Sequence, residues 1–132
     1  MATIRRRADA VAAMTGSVLG ASSRWSVNEL LPASTADGRL PWATLAVNLV
    51  GCAAIGVLAG RLTGVARTFA VTGVLGGFTT MSTFAVEVDQ LVDVGARSTA
   101  FLYVTVSIVG GLLLAAAGIR SGRGLVRERV AR

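Results

Sequence analysis

Histidine and lysine are absent from this 132-residue chain, and all 13 of its basic residues are arginine. Without imidazole, the commonest metal ligand and physiological proton shuttle is missing. Without His or Lys, the serines and threonines also lack a base to activate them as nucleophiles. The acidic residues form no close pair at one site, so an enzyme is not expected. The single cysteine, Cys52, stands inside an apolar run, which excludes a disulfide framework and a zinc-binding cysteine motif. Charged residues make up only 15%, where an ordinary soluble domain carries about 25%.

What fills the chain is apolar: 53% of its residues, gathered into four long runs at about 8–30, 41–60, 68–92 and 98–119. At about 20 residues per helix, four membrane spans use roughly 80–90 residues. That leaves little for loops and nothing for a soluble domain. The expectation is an all-α integral membrane protein of one domain, residues 1–132, whose basic tail over 120–132 frays as chain ends do. A net charge of +6 could suggest nucleic acid. The arginines stand at the ends of apolar runs, however, where they set orientation in a lipid bilayer, and no nucleic-acid partner is expected. Arg5-Arg6-Arg7 ahead of an apolar stretch resembles a signal peptide. The run that follows is long and reaches Arg24-Trp25 without a clear cleavage site, so it is read as a span.

With four spans, both termini and the short middle loop share one side of the membrane. Ten arginines fall there and three, Arg24, Arg39 and Arg97, on the other. That bias predicts a multi-pass membrane protein with both termini cytoplasmic. The polar turn over 31–40 is punctuated by Pro32 and Gly38, and Pro41 suits the first turn of the second helix. The loop from Arg61 to Arg67 is so short that spans two and three are expected to be antiparallel neighbours. Gly16-x-x-x-Gly20 in span one and Gly56-x-x-x-Gly60 in span two offer faces for close helix packing. Arg24 is either an interfacial anchor beside Trp25 or a buried tie that bonds the carbonyls of helix ends.

One stretch breaks the pattern. In span three, Gly73-Val74-Leu75-Gly76-Gly77-Phe78-Thr79-Thr80-Met81-Ser82-Thr83-Phe84 puts three glycines and a block of hydroxyls where a helix should be continuous. Glycine weakens a helix by about 1 kcal/mol relative to alanine, and Ser and Thr compete for its backbone partners. Within a membrane such a break is tolerated only where protein or a wet cavity answers the freed groups, so the stretch reads as a broken helix at a transport site. The embedded polar residues are neutral: Asn48, Thr79, Thr80, Ser82, Thr83, Tyr103, Thr105 and Ser107. Tyr103 and Ser107 share a helical face, continued by Gly111. The bland alternative is interhelical hydrogen bonding, about 0.6–2 kcal/mol per bond. Glu87 is placed toward one end of span three, which leaves no carboxylate at mid-membrane for a proton relay. Neutral donors suit an anion that must be partly dehydrated yet released. Phe78 and Phe84 pack, or present positive ring edges to such an ion.

Thr44-Leu45-Ala46-Val47-Asn48-Leu49-Val50-Gly51 and Gly76-Gly77-Phe78-Thr79-Thr80-Met81-Ser82-Thr83-Phe84 resemble the two signatures of the small bacterial fluoride channels, the Fluc or CrcB family. Gly20-x-x-x-Arg24-Trp25 and the Tyr103/Ser107 pair fit as well. The resemblance implies four helices with a broken third, and two subunits packed antiparallel around two fluoride pores. It implies that Asn48 donates to fluoride, that the positions of Met81 and Phe84 present groups to it, and that Ser82, Thr83, Tyr103 and Ser107 line its path. The carbonyls of Gly76 and Thr79 from both subunits would hold a structural sodium ion, and Arg24 would be structural. Two features depart from the pattern. Met81 stands where the family usually has phenylalanine, and a thioether lacks the positive ring edge. The arginine bias also favours one-way insertion, hence an oppositely oriented homologous partner rather than a homodimer. Two other readings remain: a non-conducting partner subunit, and a small multidrug-type exporter, which would want an embedded Glu in span one.

Overall fold

The computed structural model describes residues 2–31 and 35–130, and Pro32 lies outside them. Among the described residues the regular structure is helical: α1 Ala2–Leu30, α2 Trp42–Arg61, α3 over 64–78, α4 Ser82–Asp93 and α5 over 97–130. The third apolar run is therefore two helices, parted at Thr79, Thr80 and Met81. The tail expected to fray continues α5 as helix to Val130.

The chain signals at the helix ends account for these limits. Pro41 caps α2, its carbonyl accepting the Leu45 N–H at 3.1 Å. Gly95 ends α4 in the left-handed region, φ 78°, where a side chain would be strained. Its N–H bonds the Val92 carbonyl at 3.0 Å and the Ala96 N–H bonds Leu91 at 2.8 Å, the double closure of a Schellman turn. Two stretches widen to π-helical turns, Thr68–Leu75 and Val106–Gly110, each adjoining glycine. Such wide turns are rare and gather at functional sites.

The loop joining α2 to α3 is short, yet these two helices are not the main packing pair. α1 lies along α3, and α2 lies along α5. Small residues decide it. A methyl group on Gly16 would stand 2.5 Å from the Phe69 carbonyl oxygen, and one on Gly20 would overlap that of Val74. Across the other seam a methyl on Gly118 would stand 2.6 Å from the Ala53 oxygen. Backbones in contact give the dispersion attraction that holds helices together in lipid. Gly56 and Gly60 take part in this second seam, as their spacing predicts.

The core proper is small and lies where α2, α4 and α5 meet: Leu45, Phe84, Leu91, Ala100 and Tyr103. The outward faces carry exposed Val11, Met14, Val18, Leu112 and Leu113, an apolar coat too extensive for a monomer in water. Three of the described helical rods are long and apolar enough to cross a membrane: Trp42–Arg61, Gly64–Asp93 and Arg97–Gly124. α1, at 29 residues, has the length but carries Arg5, Arg6, Arg7, Asp9 and several serines.

Candidate functional site

At the break, Thr79 turns to an extended backbone, φ −76° and ψ 154°. The chain then rejoins a helix after Met81. Asn48 of α2 reaches across and answers both backbone groups of Thr80: its Oδ1 accepts the Thr80 N–H at 2.8 Å, and its Nδ2 donates to the Thr80 carbonyl at 2.9 Å. The Thr80 hydroxyl caps α4 by accepting the Thr83 N–H at 3.2 Å. It donates to Thr83 Oγ1 at 3.0 Å and stands 3.3 Å from Ser82 Oγ. In an unbroken helix, the N–H groups of Thr80 and Thr83 would serve the carbonyls of Gly76 and Thr79. Here both donors are engaged by side chains, so those two carbonyls lose their helical partners. The Gly77 carbonyl accepts Arg24 Nε at 3.2 Å, so a half-buried Arg24 ties α1 to the last turn of α3 through one carbonyl.

A cavity of about 250 Å³ opens beside the break. Its wall takes Asn48 and Cys52 from α2, Thr79, Thr80 and Met81 from the break, Phe84 from α4 and Ser107 from α5. Among the described residues, no charged side chain lines it. Phe84 is 8% exposed and Met81 is 73% exposed. Ser107 Oγ is buried with no hydrogen-bond partner among the described residues. Asn48, Met81, Phe84, Ser107 and Thr79, named from the sequence, are thus brought to one place. Ser82 and Thr83 stand apart from this wall, in the hydroxyl cluster that starts α4. Gly76 sits in the last turn of α3.

Tyr103 belongs elsewhere. It is fully buried, with its ring 5.0 Å from that of Phe84 at a 52° tilt. Its hydroxyl donates to Glu87 Oε2 at 2.7 Å, while Thr44 Oγ1 donates to Glu87 Oε1 at 2.7 Å. Glu87 is 6% exposed. Glu87 lies toward one end of the third run, as expected from the sequence, and is inside the bundle, with one hydroxyl on each oxygen. Helical spacing carries the signal, because Thr80, Thr83, Phe84 and Glu87 follow i, i+3, i+4, i+7 on one face, and Thr44 and Asn48 are four apart on α2. Pairing the two faces required the fold.

A family model for CrcB-like protein, Camphor Resistance (CrcB), matches residues 11–119. That span holds the break, both glycine seams and every residue of the site from Arg24 to Ser107. The chain belongs to the CrcB family. Its relatives include fluoride-specific ion channel FluC 2 of Streptomyces avermitilis, 44% identical over 105 residues, covering 75% of this chain and 65% of the relative. FluC of Sphingopyxis alaskensis is 43% identical over 112 residues, 80% of this chain and 88% of the relative. A FluC of Thermus thermophilus is 41% identical over 116 residues, 84% and 92% respectively. With apolar helices long enough to span, this CrcB protein is a multi-pass membrane protein. Its cavity presents one amide, hydroxyls, a ring and two sulfurs, with no histidine, lysine or carboxylate among the described residues of the wall to act as a base.

Proposed function

We propose that the chain is a subunit of a fluoride-selective channel that lets cytoplasmic fluoride leave passively and so relieves its toxicity. The observation that carries this reading is the uncharged, donor-bearing cavity at a broken helix, in a chain about 40% identical to fluoride-specific channels. An arginine in the wall would hold an anion. Amide and hydroxyl donors replace part of its hydration and let it go. Asn48 keeps one amide hydrogen beyond the one given to Thr80, and that hydrogen is the donor assigned to fluoride. Met81, Phe84 and Ser107 line the path beside it. Ser82, Thr83 and Tyr103 flank it, holding its walls through their hydrogen bonds and ring contact. No energy source is needed. HF enters neutral and dissociates inside, and about 100 mV, negative inside, drives one anion outward with roughly 2.3 kcal/mol. That is about fifty-fold in equilibrium ratio.

In the same reading the bundle has four spans, with α1 as the fourth, and both termini are cytoplasmic. It pairs with an inverted homologous subunit, a heterodimer being favoured by the arginine bias. The carbonyls of Gly76 and Thr79 fit a structural sodium ion: they are oxygen donors freed of helical partners, and hard cations take such oxygens. Two oxygens are part of a coordination shell, so a second subunit would complete it. The ion would balance the dipoles of the carbonyls that the break frees.

Fluoride efflux from liposomes containing the purified chain tests the function. Rapid, voltage-driven efflux with chloride retained is expected, and no fluoride efflux, alone or with an oppositely oriented partner, would overturn it. Efflux only with the partner supports the heterodimer, and efflux through that pair left unchanged by Asn48→Ala in this chain supports the second reading, a non-conducting subunit, which Met81 in place of an aromatic ring motivates. Labelling of a C-terminal tag equally from both membrane faces would sink one-way insertion.

A further inference from the structure

The glycine seams fix which helix ends lie together. Gly16 abuts Phe69 and Gly20 abuts Val74, so α1 and α3 run parallel. Gly56 abuts Ala115, and Gly60 abuts Ile119 and Arg123, so α2 and α5 run parallel too. Only Leu62 and Thr63 join α2 to α3. The start of α1, the α2–α3 joint and the last turns of α5 therefore share one end of the bundle. Thr68 Oγ1 donates to Asp9 at 3.2 Å and ties two of these pieces. Residues 2–10, 60–68 and 119–130, which build this end, include nine arginines against two carboxylates, Asp9 and Glu128. Residues 11–59 and 69–118 include three arginines against five carboxylates. Arg5, Arg6, Arg7 and Arg67 are exposed on α1 and α3, and Arg61, Arg120 and Arg123 are exposed on α2 and α5. On α5, Leu113, Ala116, Ala117 and Arg120 follow i, i+3, i+4, i+7, and all four are exposed. An apolar strip about 10 Å long thus leads up to a guanidinium.

We propose that this end is a binding surface for anionic phospholipid, with the phosphate held by Arg61, Arg120 and Arg123 and an acyl chain laid along the strip that starts at Leu113. A guanidinium can donate two parallel N–H bonds to phosphate oxygens. Net charge selects the lipid. A zwitterionic headgroup brings an ammonium among arginines that already outnumber their carboxylates, whereas an anionic one neutralises them. Position selects lipid over nucleic acid, the other phosphate-bearing partner. Arg61 ends the apolar run of α2 and Arg120 follows that of α5, the level at which a bilayer places its headgroups. A nucleic acid has no use for an exposed apolar strip below them. Orientation alone requires only an imbalance of arginine between the two sides. It does not require α5 to continue as helix to Val130, about 16 Å past its apolar run, which fixes Arg120 and Arg123 on a scaffold. Arg5, Arg6, Arg7 and Arg67 offer the same chemistry to neighbouring headgroups. The surface shares no residue with the cavity beside Asn48 and stands independently of the channel reading.

The test titrates the purified full chain in detergent micelles with phosphatidylglycerol or with phosphatidylcholine of the same acyl chains, and counts bound lipid by native mass spectrometry. Phosphatidylglycerol should bind at least about tenfold more tightly, since each arginine near an anionic surface is worth about fivefold. Equal binding of the two lipids overturns the proposal. The triple variant Arg61→Gln/Arg120→Gln/Arg123→Gln should weaken phosphatidylglycerol at least about tenfold and leave phosphatidylcholine unchanged. A smaller loss overturns the assigned arginines. The control Arg39→Gln/Arg97→Gln removes charge from the opposite end and should change binding by less than about twofold. A loss there as large as in the triple variant overturns the site in favour of overall charge. A short RNA that displaces phosphatidylglycerol from the native chain overturns lipid as the occupant. Circular dichroism and gel filtration report whether the variants fold. Should the triple variant not fold, raising the salt from about 0.05 to 0.5 M must weaken phosphatidylglycerol on the native chain and spare phosphatidylcholine, because screening acts on the charge alone. Salt-independent binding overturns the surface.

Discussion

Two polar clusters sit one helical turn apart on α2, and the molecule treats them differently. Thr44, with Glu87 and Tyr103, is sealed: Thr44 is 2% exposed and Tyr103 fully buried, and both oxygens of the carboxyl are answered. Asn48, with Thr80, faces a cavity, and one amide hydrogen stays available beyond the backbone pair. The same class of side chain thus stiffens the bundle in one place and is free to meet an ion in the other. The difference is access. A buried group with all its partners fixes a geometry. A group with spare bonding capacity on a cavity wall can exchange protein for ligand.

That contrast is broken most directly at Glu87. Glu87→Ala leaves two buried hydroxyls without an acceptor, and should lower stability by about 3 kcal/mol, read as a large loss of thermal stability in detergent. A change under about 0.5 kcal/mol would mean the cluster is not structural. Asn48→Ala comes next. It frees the Thr80 N–H and carbonyl, at about 1 kcal/mol each, and fluoride efflux should fall at least about tenfold. An Asn48→Ala chain that loses stability and keeps its flux would place Asn48 with the structural cluster instead. Tyr103→Phe deletes one hydroxyl and keeps the ring on Phe84, so stability should drop by about 1–1.5 kcal/mol, with flux changed less than in Asn48→Ala. Ser107→Ala removes a hydroxyl that has no partner to lose among the described residues, so stability should move by less than about 0.5 kcal/mol while efflux slows. Smallest of all is Met81→Phe, at an exposed position. Stability should hold within about 0.5 kcal/mol. Faster fluoride efflux would show that the thioether impairs the path, and equal efflux that it serves there.

Much of this architecture is legible in the order of the residues. The four apolar runs fall on α1, α2, the α3–α4 rod and α5. The glycine-and-hydroxyl stretch over 73–84 contains the break at 79–81, because glycines and hydroxyls locally disfavour helix whatever the fold. Asn48 and Ser107 stand out as polar residues in apolar runs, Phe84 as an aromatic beside the break and Met81 by the family resemblance, and the four share one cavity. Glu87 defeats such reading for a physical reason. Its helix position is readable, but its burial depends on Thr44 and Tyr103, which lie 43 and 16 residues away in sequence. The partner choice of α2 escapes in the same way. A short loop makes two helices consecutive, while close packing goes to the faces that lack side chains.

The amino-acid sequence alone determined that this chain is helical and apolar, and that its third run cannot be one helix. It also determined that the polar side chains at its break are neutral donors and that neither His nor Lys can join them. Those are local properties, fixed by propensity and composition. Tertiary structure decided that Asn48 holds Thr80, that Arg24 reaches Gly77, that Glu87 is sealed by two hydroxyls, and that Cys52 finds room only because Gly111 faces it. Each joins residues far apart in the chain through hydrogen bonds and contacts a few ångströms long, and only packing brings such groups within reach.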